Sequence, residues 1–352
     1  MARMGTGNMG RKNFLSWHGQ KPQLIVTEPD LIKEILNNRD GVYVKMKVVG
    51  YGKKLLGDGL VTTEGRKWVK QRKLANHVFH AESLKGMVPA MITAVEMMLE
   101  RWKHHDQGKE IQVFQEFRLL TSDVISRTAF GTTNHEADES KRISIEDMID
   151  ECKTFYFAGH ETTTSLLTWT CLLLAIHTDW QDKATREVIE LLGQKNPTPD
   201  DINFISRLKT MNMIINESLR LYPPVLSIVR TVSREVRLGK LNLQANIELI
   251  ISTIAIHHDP EIWGEDVHIF KPERFSEGVA KATNNNTVAF LPFGLGPRTC
   301  VGLNFAMTEA KIALAMILQR YHFTLSPTYV HSPTKRLTSC PQHGLQIMLH
   351  AL

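Results

Sequence analysis

One loop near the C-terminus carries residue types that could do chemistry: residues 293–302 read FGLGPRTCVG. Cys300 lies two residues after Arg298 and just before a run with helical periodicity that begins near Gly302. Glycines allow tight turns and the close approach of a bulky partner, and a helix N-terminus favours a thiolate. Cys300 could be a buried small hydrophobe, a nucleophile or a metal ligand. The loop favours a functional role and leaves the nucleophile and the ligand open.

A second polar group lies inside the longest helical run, where residues 158–163 read AGHETT. A glycine inside a helix costs about 1 kcal/mol relative to alanine. Glu161 and Thr162 place an acid beside an alcohol in an otherwise apolar segment. The pair has two explanations of about equal weight. One is structural: a hydrogen-bonded threonine in the core beside a glutamate that reaches solvent. The other is a site that binds and protonates a small molecule such as dioxygen.

Two further pairs are ambiguous when each is taken alone. Glu217 and Arg220 lie one helical turn apart, a spacing that is equally typical of a solvated ion pair worth a few tenths of a kcal/mol. Trp68 and Arg72 share a helix face, which also describes a surface arginine packed on a tryptophan.

Taken together and in this order, the segments resemble the cytochrome P450 family. The loop at 293–302 matches the family's haem-binding motif, Phe-x-x-Gly-x-Arg-x-Cys-x-Gly, at every position, and AGHETT resembles its oxygen-binding helix. The loop is a very specific signal and the helix motif a moderate one. Three weaker matches are Glu217-x-x-Arg220, the PERF segment at 272–275, and Trp68-x-x-x-Arg72. The resemblance covers most of residues 13–352 and is strongest to plant members that oxidise terpenoids and hormone-like lipids.

The resemblance implies roles for individual residues. Cys300 is expected to be the thiolate ligand of the haem iron, and Thr162 with Glu161 to deliver protons to bound dioxygen. The other expected haem-binding residues are Trp68, Arg72, Arg230, Phe293 and Arg298. Glu217, Arg220 and Arg274 are expected to form a buried structural triad, with His257 and His258 also structural. The expected substrate pocket is lined by Ala158, residues 225–229 and the turn at 341–345.

The resemblance also implies an activity. We expect a haem-thiolate monooxygenase with haem b that inserts one oxygen atom from O2 into a hydrophobic small molecule, with electrons from an NADPH-dependent reductase. From the resemblance to the family's plant members, we expect the cytosolic face of the endoplasmic reticulum membrane. This sequence shows no anchor, so the cytosol is the alternative location. Two alternatives remain: a truncated haem-binding protein without turnover, and a haem-thiolate isomerase or dehydratase. The intact Glu161–Thr162 pair favours oxygen activation over the isomerase or dehydratase.

Composition excludes several other classes. The chain has 352 residues, is 42% hydrophobic and 22% charged, and carries a net charge of +5, which is too weak to predict a nucleic-acid partner. The four cysteines show no CxxC spacing typical of zinc, and Cys152 and Cys171 are too far apart on one helix for a disulfide, which fits a reducing compartment. No apolar run approaches the ~18 residues of a membrane span.

Periodicity predicts the elements that must position these residues. A hairpin is expected over 13–27 and helices over 29–36, 64–79, 84–104, 112–130, 144–177, 180–192, 201–220 and the run after 302. Short strands are expected over 225–256 and beyond 322. The predicted fold is therefore mainly α with a minor β-sheet, one cytochrome P450 domain over residues 1–352.

This P450 fold is predicted to be incomplete. Near residues 131–137 the family carries several helices that cover the pocket, roughly 60–90 residues with their connections. Here a short polar stretch joins the two flanking helical runs. We therefore expect a truncated chain whose long helix exposes apolar side chains such as Phe155 and Phe157.

Overall fold

The computed structural model describes residues 13–103, 108–129, 144–198 and 202–352. Within these ranges the chain is mainly helical, as its periodicity predicts. The helices are α1 Pro29–Asn37, α2 Tyr51–Leu56, α3 Gly65–Val78, α4 Ala81–Trp102, α5 Val113–Ala129, α6 Ile145–Ile176, α7 Thr178–Leu192, α8 Ile202–Arg207, α9 Lys209–Leu221, α10 Thr253–His257, α11 Pro260–Trp263, α12 Val279–Ala282 and α13 Leu303–Leu318.

The strands in the described ranges form four small sheets. The strands are β1 Phe14–His18, β2 Lys21–Val26, β3 Tyr43–Val44, β4 Lys109–Gln112, β5 Ser227–Val232, β6 Val236–Leu238, β7 Leu241–Leu243, β8 Glu248–Ser252, β9 Tyr321–Leu325, β10 Pro333–Lys335, β11 Ser339–Pro341 and β12 Gln346–Ala351. A five-stranded sheet has the order β1-β2-β8-β5-β3, a three-stranded sheet has the order β4-β12-β9, and two hairpins pair β6 with β7 and β10 with β11.

One predicted helix is in fact two. The run expected over 201–220 divides at Leu208 into α8 and α9, although no proline or glycine interrupts it. The cause is a contact with another helix: the carboxylate of Glu187 accepts hydrogen bonds from the backbone N–H groups of Thr210 (2.6 Å) and Met211 (3.0 Å). These are N–H groups that a helix start leaves without partners, so a side chain from α7 caps α9. Local periodicity contains no information about such a distant cap.

The long helix α6 is the central element. The Ser144 hydroxyl accepts a hydrogen bond from the Asp147 N–H at 3.1 Å, which caps the helix start as the sequence predicts. Residues 163–175 are buried without interruption, so α6 runs through the main hydrophobic core. A Cβ on Gly159 would lie 3.0 Å from Ile125 of α5, so this glycine lets the two helices pack closely.

The exposed apolar residues of α6 differ from those expected. Phe155 and Phe157 are partly buried, and Phe155 packs against Phe79 with ring centroids 5.5 Å apart. The large apolar side chains that α6 exposes near its start are Ile145, Met148 and Ile149. The expectation for the two phenylalanines was wrong, because Phe79 in the turn after α3 covers Phe155, and Phe157 packs edge-on against Tyr156 with ring centroids 5.6 Å apart. The stretch at 131–137, where helices were predicted to be missing, lies outside the described residues.

No helix in the described ranges has the length and apolar character needed to cross a membrane.

Candidate functional site

A cavity of about 450 Å³ lies between α6, β5, α3 and the loop before α13. We call it the central cavity. Apolar residues make up most of its wall, and a group of cationic residues lies on one side. Its lining residues include Lys45, Trp68, Arg72, Ala158, Gly159, Thr162, Thr163, Pro224, Val225, Ile228, Arg230, Phe293, Arg298, Cys300, Leu337 and Thr338.

The cysteine loop, residues 293–302, is held in a fixed conformation. The Cys300 N–H donates to the Phe293 carbonyl at 2.8 Å, so the loop closes on itself. Gly296 has a φ of +74°, and a Cβ there would lie 2.3 Å from the Leu36 carbonyl oxygen. Glycine is therefore required at 296 both for its backbone angle and for the contact with α1. The result is a cysteine presented to the central cavity just before α13.

Three influences act on the Cys300 thiol, and the largest is burial by the surrounding protein. Burial raises the pKa of Cys300, while the Gly302 N–H and the nearby Arg72 guanidinium lower it. The side chain is nevertheless accessible, because it opens into the central cavity. In this setting the thiol needs a further positive charge on the cavity side to become a stable thiolate. A cysteine that binds a metal ion receives that charge from the metal.

Arg298 and Trp68 lie together on the cationic side. The Arg298 guanidinium lies 4.1 Å from the centroid of the Trp68 ring, donates to the Thr63 carbonyl at 2.9 Å and pairs with the Glu64 carboxylate. Its Nη1 is buried and has no hydrogen-bond partner among the described residues. A buried guanidinium nitrogen without an acceptor is costly, so this atom fits a site for an anionic group.

Arg230 and Lys45 extend this cationic group. The alternation of β5 places Ile228 and Arg230 on the same face of the strand, and both line the central cavity. Burial, followed by repulsion from Arg298, lowers the pKa of Arg230 to about 10. Burial and repulsion from Arg230 and Arg298 lower the pKa of Lys45 to about 8. Lys45 was not predicted as a site residue, because nothing in the local sequence distinguishes it from Lys47.

The residues present fit a haem. Lys45, Arg230 and Arg298 repel one another, with Glu64 as the carboxylate that moderates them in the described part of the chain. Two carboxylate side chains of a cofactor would relieve that repulsion and supply the acceptor that Arg298 lacks. Cys300 opens into the same cavity. Arg72 is bonded to the residue before the cysteine, since its guanidinium donates to the Thr299 carbonyl at 2.6 Å.

The acid and the alcohol of α6 are not brought together at the cavity. Thr162 lines the cavity, and its hydroxyl donates to the Ala158 carbonyl at 2.5 Å. Glu161 is not among the described lining residues, since its carboxylate lies 3.7 Å from Arg118 and 3.4 Å from the His160 ring. In this conformation, Thr162 alone of the pair can touch a molecule in the cavity.

The pocket wall differs from the one expected at the C-terminal end. Ala158, Val225 and Ile228 line the central cavity, as expected. The turn at 341–345 does not appear among the described lining residues, and Leu337 and Thr338 occupy that part of the wall. The pairing of β10 with β11 explains the difference, because it puts residues 336–338 at the tip of the hairpin. The later turn instead packs on Gln112 through Gly344 and enters the core through Leu345.

The expected structural triad is present and buried. The Arg220 guanidinium makes two bonds to the Glu217 carboxylate, at 2.8 and 2.7 Å, with both side chains fully buried. Arg274 approaches the same carboxylate at 3.4 Å. His257 accepts a hydrogen bond from the Leu291 N–H at 2.8 Å, and burial lowers its pKa to about 3. These residues connect α9 and α10 to the segment that leads into the cysteine loop.

Comparisons with known proteins identify the class. The sequence model described as Cytochrome P450 matches residues 9–153 and 132–349. A cytochrome P450 of Panax ginseng, CYP749A22, is 49% identical over 98% of this chain and 81% of its own length. Cytochrome P450 734A1 of Arabidopsis thaliana is 36% identical over 96% and 80%. The 11-oxo-beta-amyrin 30-oxidase of Glycyrrhiza uralensis is 36% identical over 97% and 81%.

The fold and these matches define an oxygen-using oxidoreductase with a haem-iron cofactor. The chain belongs to the cytochrome P450 family and is a monooxygenase of the plant type.

The ginseng comparison also bears on length. The alignment covers 429 positions while this chain has 352 residues, so at least 77 aligned positions have no residue here. The two stretches matched by the family model overlap at residues 132–153. The relatives therefore carry residues that this chain lacks.

Proposed function

We propose that this chain inserts one oxygen atom from O2 into a C–H bond of a hydrophobic terpenoid or hormone-like lipid. The second oxygen atom leaves as water, formed with two electrons and two protons. A reductase that oxidises NADPH supplies the electrons, and the cofactor is haem b. The single observation that best supports this proposal is the central cavity, which combines an apolar wall, a cationic side and the Cys300 thiol.

Cys300 would hold the iron, and the cationic residues would hold the two carboxylates of the haem. When bound, the haem supplies the oxygen chemistry, and a thiolate ligand favours cleavage of the O–O bond. Arg298, Arg230, Lys45 and Trp68 lie on one side of the cavity, so they would fix the haem edge there. Phe293 lines the cavity beside Cys300 and accepts its N–H.

Thr162 would control proton delivery. Its hydroxyl lines the cavity and holds a hydrogen bond to the Ala158 carbonyl, so it can donate its proton to a bound molecule only by giving up that bond. Glu161 would then supply protons after its carboxylate leaves Arg118 and His160, which hold it away from the cavity. The apolar wall would hold the substrate and exclude water.

The relatives favour an enzyme over a haem-binding protein without turnover, since one of them is named as an oxidase of a triterpenoid. Terpenoids are therefore the first substrates to try. The endoplasmic reticulum membrane is the proposed location, because the plant members that the chain resembles are anchored there.

The test is a reconstitution of the haem-loaded chain with a plant reductase, NADPH and a panel of triterpenoids under ¹⁸O₂. We expect one product to gain a single ¹⁸O, and Cys300→Ala to form none. A second version of the chain carries the extra internal residues of the ginseng relative at the junction near 131–137. Activity in that version alone would show that the short chain lacks a part needed for turnover. No labelled product from either version, with any compound, would contradict the proposal.

A further inference from the structure

Behind the central cavity lies a buried polar network centred on Ser339 of β11. We call it the Ser339 network, and it consists of Ser165, Trp169, Pro223, Pro224 and Ser339. Ser165 and Trp169 are 1% exposed and Ser339 is 5% exposed. Buried polar groups that are all satisfied fix the relative positions of the elements that carry them.

Ser339 joins three parts of the chain. Its hydroxyl donates to the Pro223 carbonyl at 2.9 Å, and its backbone N–H donates to the Pro224 carbonyl at 2.9 Å. On its other side, the Ser165 hydroxyl donates to the Ser339 carbonyl at 2.6 Å, and the Trp169 indole N–H donates to the Ser339 hydroxyl at 3.2 Å. One residue therefore connects α6, the segment before β5 and the β10–β11 hairpin.

The connected segments are walls of the central cavity. Pro224 and Val225 line it from the segment before β5, and Leu337 and Thr338 line it from the hairpin tip. Ser165 lies three residues beyond Thr162 on α6, so it occupies nearly the same helix face one turn further along. The network therefore fixes both walls relative to the helix that carries Thr162.

A stacked aromatic pair supports the same arrangement. The rings of Trp169 and Tyr222 lie 4.5 Å apart at an angle of 13°, and Tyr222 precedes Pro223 in the chain. This contact orients the indole N–H toward Ser339 and holds the start of the segment at 223–225.

We propose that Ser339, Ser165 and Trp169 are positioning residues that determine which ligands the central cavity accepts. They act by setting the distance of two walls from Thr162, without touching the ligand. This inference rests on the proposed use of the cavity as the substrate pocket.

The test measures ligand selectivity in the haem-loaded protein by absorbance titration with imidazole and with 4-phenylimidazole. Imidazole is the smaller ligand and has no phenyl group, whereas the phenyl group of the larger ligand has to be accommodated between the two walls. The variants are Ser165→Ala and Ser339→Ala, with Ser165→Thr to restore the hydroxyl. The matched control is Thr168→Ala on the same helix, because Thr168 is fully buried and its hydroxyl bonds to the Thr164 carbonyl of its own helix.

We expect both serine variants to bind 4-phenylimidazole about tenfold more weakly, the factor expected when a buried hydrogen bond of ordinary net strength is lost. Imidazole binding should stay within about twofold, and Ser165→Thr should recover most of the loss. Hydrogen exchange gives a second measurement that needs no ligand. Backbone amides in 225–228 and 337–340 should exchange about tenfold faster in Ser165→Ala and at an unchanged rate in Thr168→Ala.

Three results would overturn the proposal. One is an equal loss of 4-phenylimidazole binding in Thr168→Ala, which would show a general effect of removing a buried hydroxyl from α6. Another is a Ser165→Ala protein with the same preference between the two imidazoles and the same amide exchange rates as the wild type. This result would be decisive even if Ser339→Ala failed to fold. The third is a wild-type protein that binds 4-phenylimidazole no more tightly than imidazole, which would show that the central cavity does not hold the phenyl group as a substrate pocket would. That result contradicts the proposed function itself and is obtained without any variant. Failure of the proposed function can therefore be distinguished from failure of the proposal for the Ser339 network.

Discussion

Replacing Lys45 with methionine should have opposite effects on the haem-free and the haem-loaded protein. In the structure, burial and repulsion from Arg230 and Arg298 lower the pKa of Lys45 from 10.5 to about 8. The unfolded chain therefore binds the proton more tightly than the folded chain does between pH 8 and 10.5. Above pH 10.5 Lys45 is neutral in both the folded and the unfolded chain and carries no penalty. As the pH falls from 10.5 to 8, stability is lost because the unfolded chain takes up the proton first. At pH 7 the charged lysine therefore destabilises the fold.

The size of that effect follows from the shift. A change of about 2.5 pKa units corresponds to about 3 kcal/mol, and the partial solvent contact of Lys45 reduces this to about 1–3 kcal/mol. Lys45→Met should therefore stabilise the haem-free protein at pH 7 by about that amount, since methionine fills similar space without the charge. With haem bound, the same lysine would pair with a haem carboxylate, so its removal should speed haem loss about tenfold.

Two assays test this prediction. Urea unfolding of the haem-free protein gives the change in free energy of unfolding, and transfer of haem to an excess of apomyoglobin gives its rate of loss. The control is Lys47→Met, which makes the same chemical change at an exposed lysine two residues away. A Lys45→Met protein that is less stable without haem, or that loses haem at the rate of the control, would contradict this prediction.

Four other changes test the remaining parts of the site. Cys300→Ala should abolish the thiolate-type absorption band of the reduced protein with carbon monoxide, and a band that survives would remove Cys300 as the ligand. Thr162→Ala should leave that band intact and divert NADPH electrons to peroxide, so unchanged coupling of NADPH use to product would exclude Thr162 from proton delivery. Glu217→Gln should cost about 3–5 kcal/mol in urea unfolding, because Arg220 stays buried without a full negative partner. Because burial lowers the pKa of His257 to about 3, stability should fall as the pH drops below about 6.5, by about 2 kcal/mol between pH 7 and 5; His257→Gln should lack that part of the loss.

The sequence predicted those parts of the site that depend on a single short segment. The cysteine loop and the Thr162 segment each have a distinctive local pattern, and each lies at the central cavity. The predicted helices α3 to α7 agree with the structure to within a few residues, because each has its own apolar periodicity. Whether each predicted site residue performs its expected role stays a prediction that the variants above test.

The parts that the sequence did not predict depend on distant contacts. Lys45 is distinguished from Lys47 only by its neighbours Arg230 and Arg298, which are far away in the chain. The hairpin tip at 337–338 replaced the expected turn at 341–345 because strand pairing, which short strands specify weakly, decides which residues face the cavity. The orientation of Glu161 away from the cavity depends on Arg118 of another helix.

The Ser339 network holds the two cavity walls largely through main-chain atoms. Pro223 and Pro224 take part through their carbonyl oxygens, and Ser339 contributes its own N–H and carbonyl beside its hydroxyl. The side chains of Val225 and Leu337, which face the cavity, have no part in this anchoring. Such positions can change in evolution without loosening the walls, so new substrates can be accepted through substitutions there while the helix that carries Thr162 stays as it is.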